Sequence, residues 1–535
     1  MKRYKYSLLL FIPFAVMVSC KKSAFVAANV NPSTLTSVDP GAQFLYAARS
    51  LPNDFEYYYD VLRDINAWMQ FTTGSTGNGS QFNLPGANFD YRYGNFYDNV
   101  GVPLADIPHL IANMSTSEAA ARVYEAAIAK IYMAYEAFYV TDINGSIPYS
   151  QAFQGRYGGT LTPVYDTQET IYDSVNAQVK AAVAVLESSP ATTQVNYGTY
   201  DPFYGGVVAN WIKAGNALRL KVALRLMKRD PTTMKSIVTE VLADNSNQMS
   251  SVSDSWVLLV GPTFADATGN YNPSGFLAAK PVVDFMNTTG DPRLQMFYRP
   301  NSNGVYVGSP TNPDTCALAS YQALYTAADT PFSQLQHRLF TPNFDENDGN
   351  GSGTGVGFFP VLTYAEYCFI RADLGARGYT TDDPGTWYNA GVTASIVFYG
   401  TRAVAAGVTG YSATTASLTD SAVAYLQKPG VLFVSSTATE QIACQAYLDF
   451  FRQPSEAWAW WKRTGYPNTS SVLPWSALTS SGTTLVIPRR APLTLFSTAD
   501  ANYANQKTAY DAMMSDANFG TSLSDVTGRV WWDEQ

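Results

Sequence analysis

The sequence predicts a mainly α-helical protein: a scaffold of helix pairs of tetratricopeptide type, with an irregular, loop-rich second face. Two observations carry this. Residues 117–244 and 361–463 repeatedly set apolar and small side chains at helical spacing. Between them, about 245–360, the chain is rich in Gly, Pro, Asn and Thr and its periodicity is weak. A clean repeat of about 34 residues is not readable, so the pairs are expected to be degenerate and interrupted by long insertions. The domain plan is a leader at 1–19, a tether at 20–40 and one large domain at 41–535.

The leader reads as a secretory signal peptide. Lys2, Arg3 and Lys5 precede an apolar run from Leu8 to Val18, and Ser19-Cys20 follows. The run falls short of the roughly 20 apolar residues that a membrane helix needs. A cysteine directly after a small residue is the bacterial lipobox arrangement, in which the thiol is acylated before cleavage. Cys20 is therefore the expected lipid anchor, and small, polar residues to about 40 form the tether.

Helical patterning begins near Pro40, through Phe44, Ala48 and Leu51, and returns from Asp60 to Phe71. A Gly-, Asn- and Ser-rich loop from Thr72 to Gly94 ends in an aromatic cluster, Phe89, Tyr91, Tyr93, Phe96 and Tyr97. From Ser117 a helix carries Val123, Ala127, Ile131 and Ala134 on one face and stops at Asn144-Gly145, a C-cap signal. The next runs to about Leu186, with Asp166 as expected N-cap and Glu169 three residues on, close to a capping box. A third, Asn210–Arg229, puts Trp211, Ala214, Leu218, Val222 and Arg225 on one face, ends at Asp230-Pro231 and has Met234–Leu242 as its partner. Helical text resumes at Tyr364–Leu374, Thr386–Tyr399, Thr437–Phe451 and Ser455–Trp461.

Composition excludes several functions. A net charge of -9 with pI near 4.9 argues against nucleic acid, which wants a basic footprint. Charged residues make up 14% against a usual quarter or so, and aromatics another 14%, which suits an exported protein with a polar, uncharged surface. Beyond Cys20, the cysteines Cys316, Cys368 and Cys444 are widely spaced and show neither a disulfide framework nor a zinc pattern. Cys368 and Cys444 sit in apolar helical text and read as buried free thiols. His109 and His337 stand alone, away from any nucleophile motif. Walker, Rossmann, HExxH and Gly-x-Ser-x-Gly patterns are absent from the sequence.

Two weaker signals resolve to structural readings. From Asp348, a loop with Asn350, Ser352 and Gly353 has calcium-loop composition, but Phe359 stands where an EF-hand needs a bidentate Glu. A structural calcium ion thus lacks support, and neither metal nor cofactor is expected. The carboxylate pairs Asp345 with Glu346 and Asp382 with Asp383 could suggest a glycosidase, yet they lie in polar loops with capping roles open to them. Without a catalytic constellation, a binding protein is expected rather than an enzyme.

Several strings resemble one family. Asn29-Val-Asn-Pro-Ser-Thr-Leu-Thr-Ser-Val looks like a post-anchor segment, and Thr141-Asp-Ile-Asn-Gly-Ser-Ile-Pro-Tyr-Ser-Gln-Ala, Thr162-Pro-Val-Tyr-Asp-Thr-Gln-Glu-Thr-Ile-Tyr and the Trp211–Arg225 helix follow in order. Asp291-Pro-Arg-Leu, Glu456-Ala-Trp-Ala-Trp-Trp-Lys-Arg-Thr-Gly-Tyr-Pro, Ile487-Pro-Arg-Arg and Val530-Trp-Trp-Asp complete the set. Together they resemble the SusD/RagB superfamily of Bacteroidetes outer-membrane lipoproteins, in its SusD-like type 2 branch. The resemblance implies a SusD-like fold and a lipid-anchored, surface-facing protein that binds oligosaccharides or, in some members, peptides. It also implies a lid role on a SusC-type TonB-dependent barrel transporter. Lys21-Lys-Ser-Ala after the anchor departs from the acidic residues that tend to accompany surface export in this phylum. Asp291-Pro-Arg293 and Arg463-Thr-Gly-Tyr-Pro are expected as buried scaffold elements.

Ligand residues vary in such a family, so the site expectation comes from chemistry. Trp68, Tyr91, Tyr93, Phe96 and Tyr97, with Arg92 and Asn95 as polar partners, are the first choice, and Trp256 and Tyr271 the second. Core packing competes for every one of these rings. Rival functions are a lipid-anchored glycan hydrolase and a lid with no ligand site of its own.

Overall fold

Pro40 opens helix α1 (Pro40–Ser50), and Phe44, Ala47 and Ala48 bury one face of it. The computed structural model describes residues 38–52, 64–78, 89–261, 275–340 and 355–534, which places Cys20, Tyr271 and the loop from Asp345 through Gly353 outside the described residues. The expected loop edge is helical instead from Asp90 to Tyr97, with Phe89 as its N-cap. Helix α2 (Asp90–Asn95) continues through a π-helical turn, Phe96–Val100, into α3 (Gly101–Ala112). Gly94, Gly101, Pro103 and Pro108 make poor helix text, but Phe96, Val100, Leu104 and Ile107 are buried and packing overrides propensity. Gly101 is needed because any Cβ there would strike the Phe153 ring.

The helix expected from Ser117 forms in two pieces. Ser115 caps a short helix, Thr116–Ala120, in a reciprocal capping box with Glu118. After a break at Ala121-Arg122 comes α4 (Val123–Asn144), ended by Gly145 at φ +75°. Helix α5 (Gln168–Glu187) is N-capped by Thr167, which accepts from the Thr170 amide, and not by Asp166. The Asp166 carboxylate turns back to accept from the amides of Tyr149 and Ser150, at 3.0 and 2.7 Å, pinning the preceding loop. Helix α6 (Val208–Leu226) is almost wholly buried, and Asp230 caps α7 (Pro231–Val241) through the Thr233 amide. Helix α4 packs on α5, α5 on α6 and α6 on α7.

The middle of the chain builds the irregular face. Strands β1 (Thr72–Gly74), β2 (Trp256–Val260), β3 (Phe276–Ala278), β4 (Tyr298–Arg299), β5 (Gln334–Leu335) and β6 (Gly357–Leu362) are short. One antiparallel sheet has the order β1-β3-β5-β4, with Thr72 opposite Ala278 and Tyr298 opposite Leu335. Strands β2 and β6 pair separately, Leu258 opposite Phe359, so the residue at the twelfth calcium-loop position is buried strand. Helix α8 (Lys280–Thr289) lies between, and Leu277, Cys316, Tyr325 and Phe332 form a small core of their own.

The second helical set comprises α9 (Tyr364–Ala376), α10 (Pro384–Ala406), α11 (Thr415–Tyr425), α12 (Ala438–Asp449) and α13 (Pro454–Thr464). Helix α14 (Tyr503–Met514) follows near the C-terminus. Helix α9 packs on α10 and α12, α10 on α11, and α12 on α13. Buried charges join the two sets. Arg225 of α6 pairs with Asp142 of α4 and Glu456 of α13, each at 2.8 Å, while Lys221 meets Glu366 of α9 at 2.9 Å. Arg293 is wholly buried against Asp291, Ser395 and Gln445, and Arg463 against Asp373, the scaffold roles expected of those motifs.

Candidate functional site

The predicted rings divide by burial. Trp68, Phe96 and Trp256 are 0% exposed and present no face to a ligand, which corrects their expected role. Trp68 fills space between Phe89 and Trp458, with centroids at 6.1 and 5.2 Å. Trp256 wedges β2 between Tyr135 of α4 and Trp211 of α6, at 5.3 and 5.0 Å.

The polar partners are likewise engaged. Arg92 is buried, its guanidinium 3.2 Å from the Tyr139 ring centroid. The Asn95 amide donates to the Ser50 carbonyl and accepts from Asn99, both at 3.2 Å. Tyr91 belongs to α2 by backbone, but its side chain, like Tyr271, is outside the description. Tyr93 and Tyr97 stay partly open, rings 4.7 Å apart, and the Tyr97 hydroxyl donates to the Pro148 carbonyl at 2.7 Å. They meet Tyr165 and Tyr510 of α14, and burial raises both phenols well above their ordinary range. The two phenols are thus neutral and buried, and only part of each residue stays open.

Titratable groups elsewhere serve the scaffold. Arg92, Asp142, Lys221 and Glu456 line a narrow pocket of about 20 Å³, room for little more than one water. Burial alone would raise both carboxyls; Arg225 and Lys221 hold Glu456 well below the ordinary carboxylate range, whereas at Glu366 burial outweighs Lys221 and raises the carboxyl. Asp382 is locked to Arg371 and Asp383 caps α10 through the Thr386 amide. Asp345 and Glu346 lie outside the described residues. Burial drives His337 down to about 3, and His109 stacks on Tyr157 at 3.7 Å. Cys316, Cys368 and Cys444 are buried free thiols, the last two pushed up to about 12 by burial.

One surface feature escaped the sequence reading. A cleft of about 170 Å³ opens between Ser146, the start of α5 at Gln168-Glu169, Met513 of α14, and Arg529 and Trp531 near the C-terminus. These residues are close only in three dimensions. The one local signal was the aromatic pair Trp531-Trp532, of which Trp532 is buried and Trp531 partly open.

The architecture is a helical-repeat scaffold carrying a loop-rich face, a class built to present surfaces rather than an enclosed active site. A family profile described as SusD-like, starch-binding and associating with the outer membrane matches residues 33–492, and the chain belongs to that family. Among solved structures, a chitin-binding protein aligns over 93% of this chain and all of its own, at 23% identity and TM-score 0.70. A chitin-binding SusD homologue from Flavobacterium johnsoniae aligns over 92% of this chain and 98% of its own, at 20% identity and TM-score 0.67. A SusD homologue from Bacteroides fragilis covers 93% of this chain and all of its own, at 21% identity and TM-score 0.67. At these identities the likeness establishes the fold. No curated protein matches in sequence. Among the described residues no helix is long and apolar enough to cross a membrane.

Proposed function

We propose that the protein is a lipid-anchored outer-membrane lipoprotein that captures nutrient, chiefly oligosaccharide, as the lid of a SusC-type TonB-dependent transporter. The family match over residues 33–492 is the observation that carries this reading. Two solved relatives of this fold are named as chitin-binding, which favours a glycan over a peptide. Cys20 is the proposed lipid attachment, and cell-surface orientation follows from the family reading. The protein binds and does not catalyse in this reading, which is supported by the one described carboxylate pair: Asp382 is held by Arg371 and Asp383 caps α10. It needs no cofactor for this task.

Of the expected contact residues, Tyr93 and Tyr97 are the proposed ligand rings, because they are the described rings of that set that are not fully buried. Affinity electrophoresis of the chain lacking residues 1–20 against polysaccharides and peptide digests tests the reading. Retardation by a glycan class, weakened in Tyr93→Ala, supports it. Retention of peptides alone moves the protein to peptide capture, and silence on both leaves a lid without a ligand site.

A further inference from the structure

The cleft beside Trp531 holds two groups, Trp531 and Glu169, that no scaffold pairing uses up. Trp531 is partly open, its ring tilted about 55° to that of Tyr172 with centroids 6.3 Å apart, and among the described residues its Nε1–H has no protein acceptor. Glu169, exposed in the first turn of α5, makes no ion pair among the described residues. The helix dipole favours a carboxylate there, so Glu169 stands ready as an acceptor.

The other charges at the cleft are already balanced. Arg529 pairs with Asp533 at 3.0 Å, and Asp516 with Arg229 at 2.7 Å. An anionic ligand would face Glu169 and Asp516, and a cationic one would face Arg529. A neutral polyhydroxyl ring meets neither penalty, since each hydroxyl can donate to a carboxylate and accept from a guanidinium or indole N–H. An indole face also suits the flat C–H side of a pyranose, which is apolar while its rim is polar. The volume of about 170 Å³ takes one ring and cannot enclose a chain.

We propose that this cleft is a subsite for a single neutral pyranose, its C–H face against Trp531 and its hydroxyls directed to Glu169 and Arg529. The proposal rests on the glycan-capture reading and adds to it a contact separate from the Tyr93–Tyr97 pair. Such a subsite would grip one residue of a longer glycan, and so would favour chain ends or side branches over the interior of a linear polymer.

The test uses the full chain with glucose, galactose, mannose and N-acetylglucosamine, by crystal soaking and by saturation-transfer NMR. Ala512, exposed on α14 at the cleft, is replaced in Ala512→Trp to plug the cleft without entering the core, and Trp531→Ala removes the platform. The expected result is one of the four sugars seated on Trp531 in the native protein, with affinity at least about tenfold weaker in both variants and the Tm of Ala512→Trp unchanged. Native protein that seats no sugar in the cleft, or unchanged affinity in Ala512→Trp, overturns the proposal. Polysaccharide retardation that survives in Ala512→Trp, together with an empty cleft, removes the subsite and leaves glycan capture standing. A sugar in the cleft of a protein that no polysaccharide retards does the reverse.

Discussion

Arg225 and Glu456, 231 residues apart, meet at 2.8 Å inside the core and tie the first helical set to the second. Both are buried, and Asp142 and Lys221 complete the cluster. Removing one partner strands a charge in a low-dielectric interior, which costs about 3–5 kcal/mol. Arg225→Met should therefore lower unfolding stability by that order in urea titration. Arg225→Met combined with Glu456→Gln and Asp142→Asn should lose less than the sum of the single changes. Additive losses would mean that the three groups act separately.

Lys462 gives the stability a pH dependence. Its Nζ lies 4.2 Å from the Trp458 ring centroid and 4.7 Å from that of Trp532, and burial pushes its pKa down to about 7. In the unfolded chain a lysine titrates near 10.4. Between these values the unfolded state binds more protons, so the Lys462 contribution makes stability rise as pH increases from about 7 to about 9. The slope from one such group approaches 1.4 kcal/mol per pH unit. Lys462→Met should flatten that part of the profile, as measured by denaturant unfolding at stepped pH. An unchanged profile would show that Lys462 stays charged in the native state.

At Gly215 of α6, side chains of α4 and α5 crowd the backbone. A Cβ there would lie 2.6 Å from a Val183 methyl, with Val179 and Ile131 beyond it. Gly215→Ala gains helix propensity but overpacks a filled site, and a net loss of about 1–3 kcal/mol is expected. A rise in Tm would show that the three helices can move apart at little cost.

Trp68 and Tyr93 separate scaffold from site. Trp68→Ala empties a fully buried position and should cost about 3–5 kcal/mol, with glycan binding lost only in proportion to unfolding. Tyr93→Ala should weaken glycan binding while shifting Tm less. Equal losses of binding per unit of stability in the two variants would return Tyr93 to the core.

Much of this architecture was legible because helical repeats write themselves locally. The α6 face through Trp211, Leu218 and Arg225, the stop at Asn144-Gly145 and the α7 start at Asp230-Pro231 each follow from spacing or a cap. Helix α2 was hidden by Gly94 and Asn95, whose low propensity is overruled by burial on a partner distant in sequence. Helices α11 and α14 also escaped, since α11 buries only Leu418, Ala422 and Tyr425, and α14 only Gln506 and Tyr510. Thr167 displaced Asp166 as a cap because Asp166 was drawn to the amides of Tyr149 and Ser150, a tertiary contact. The site was less legible than the fold. Aromatics near loops look alike whether they fill a core, as Trp68 and Trp256 do, or edge a surface, as Tyr93 and Tyr97 do. The Trp531 cleft depends on segments near 146, 168, 513 and 530 that only the tertiary fold assembles.

Affinity electrophoresis of the chain lacking residues 1–20, run through gels cast with starch, chitin fragments and other soluble glycans, tests glycan capture most directly. Glycan capture predicts retardation by at least one polysaccharide class, weakened in Tyr93→Ala. Free migration through every glycan, with the protein folded and peptides retained instead, would contradict it.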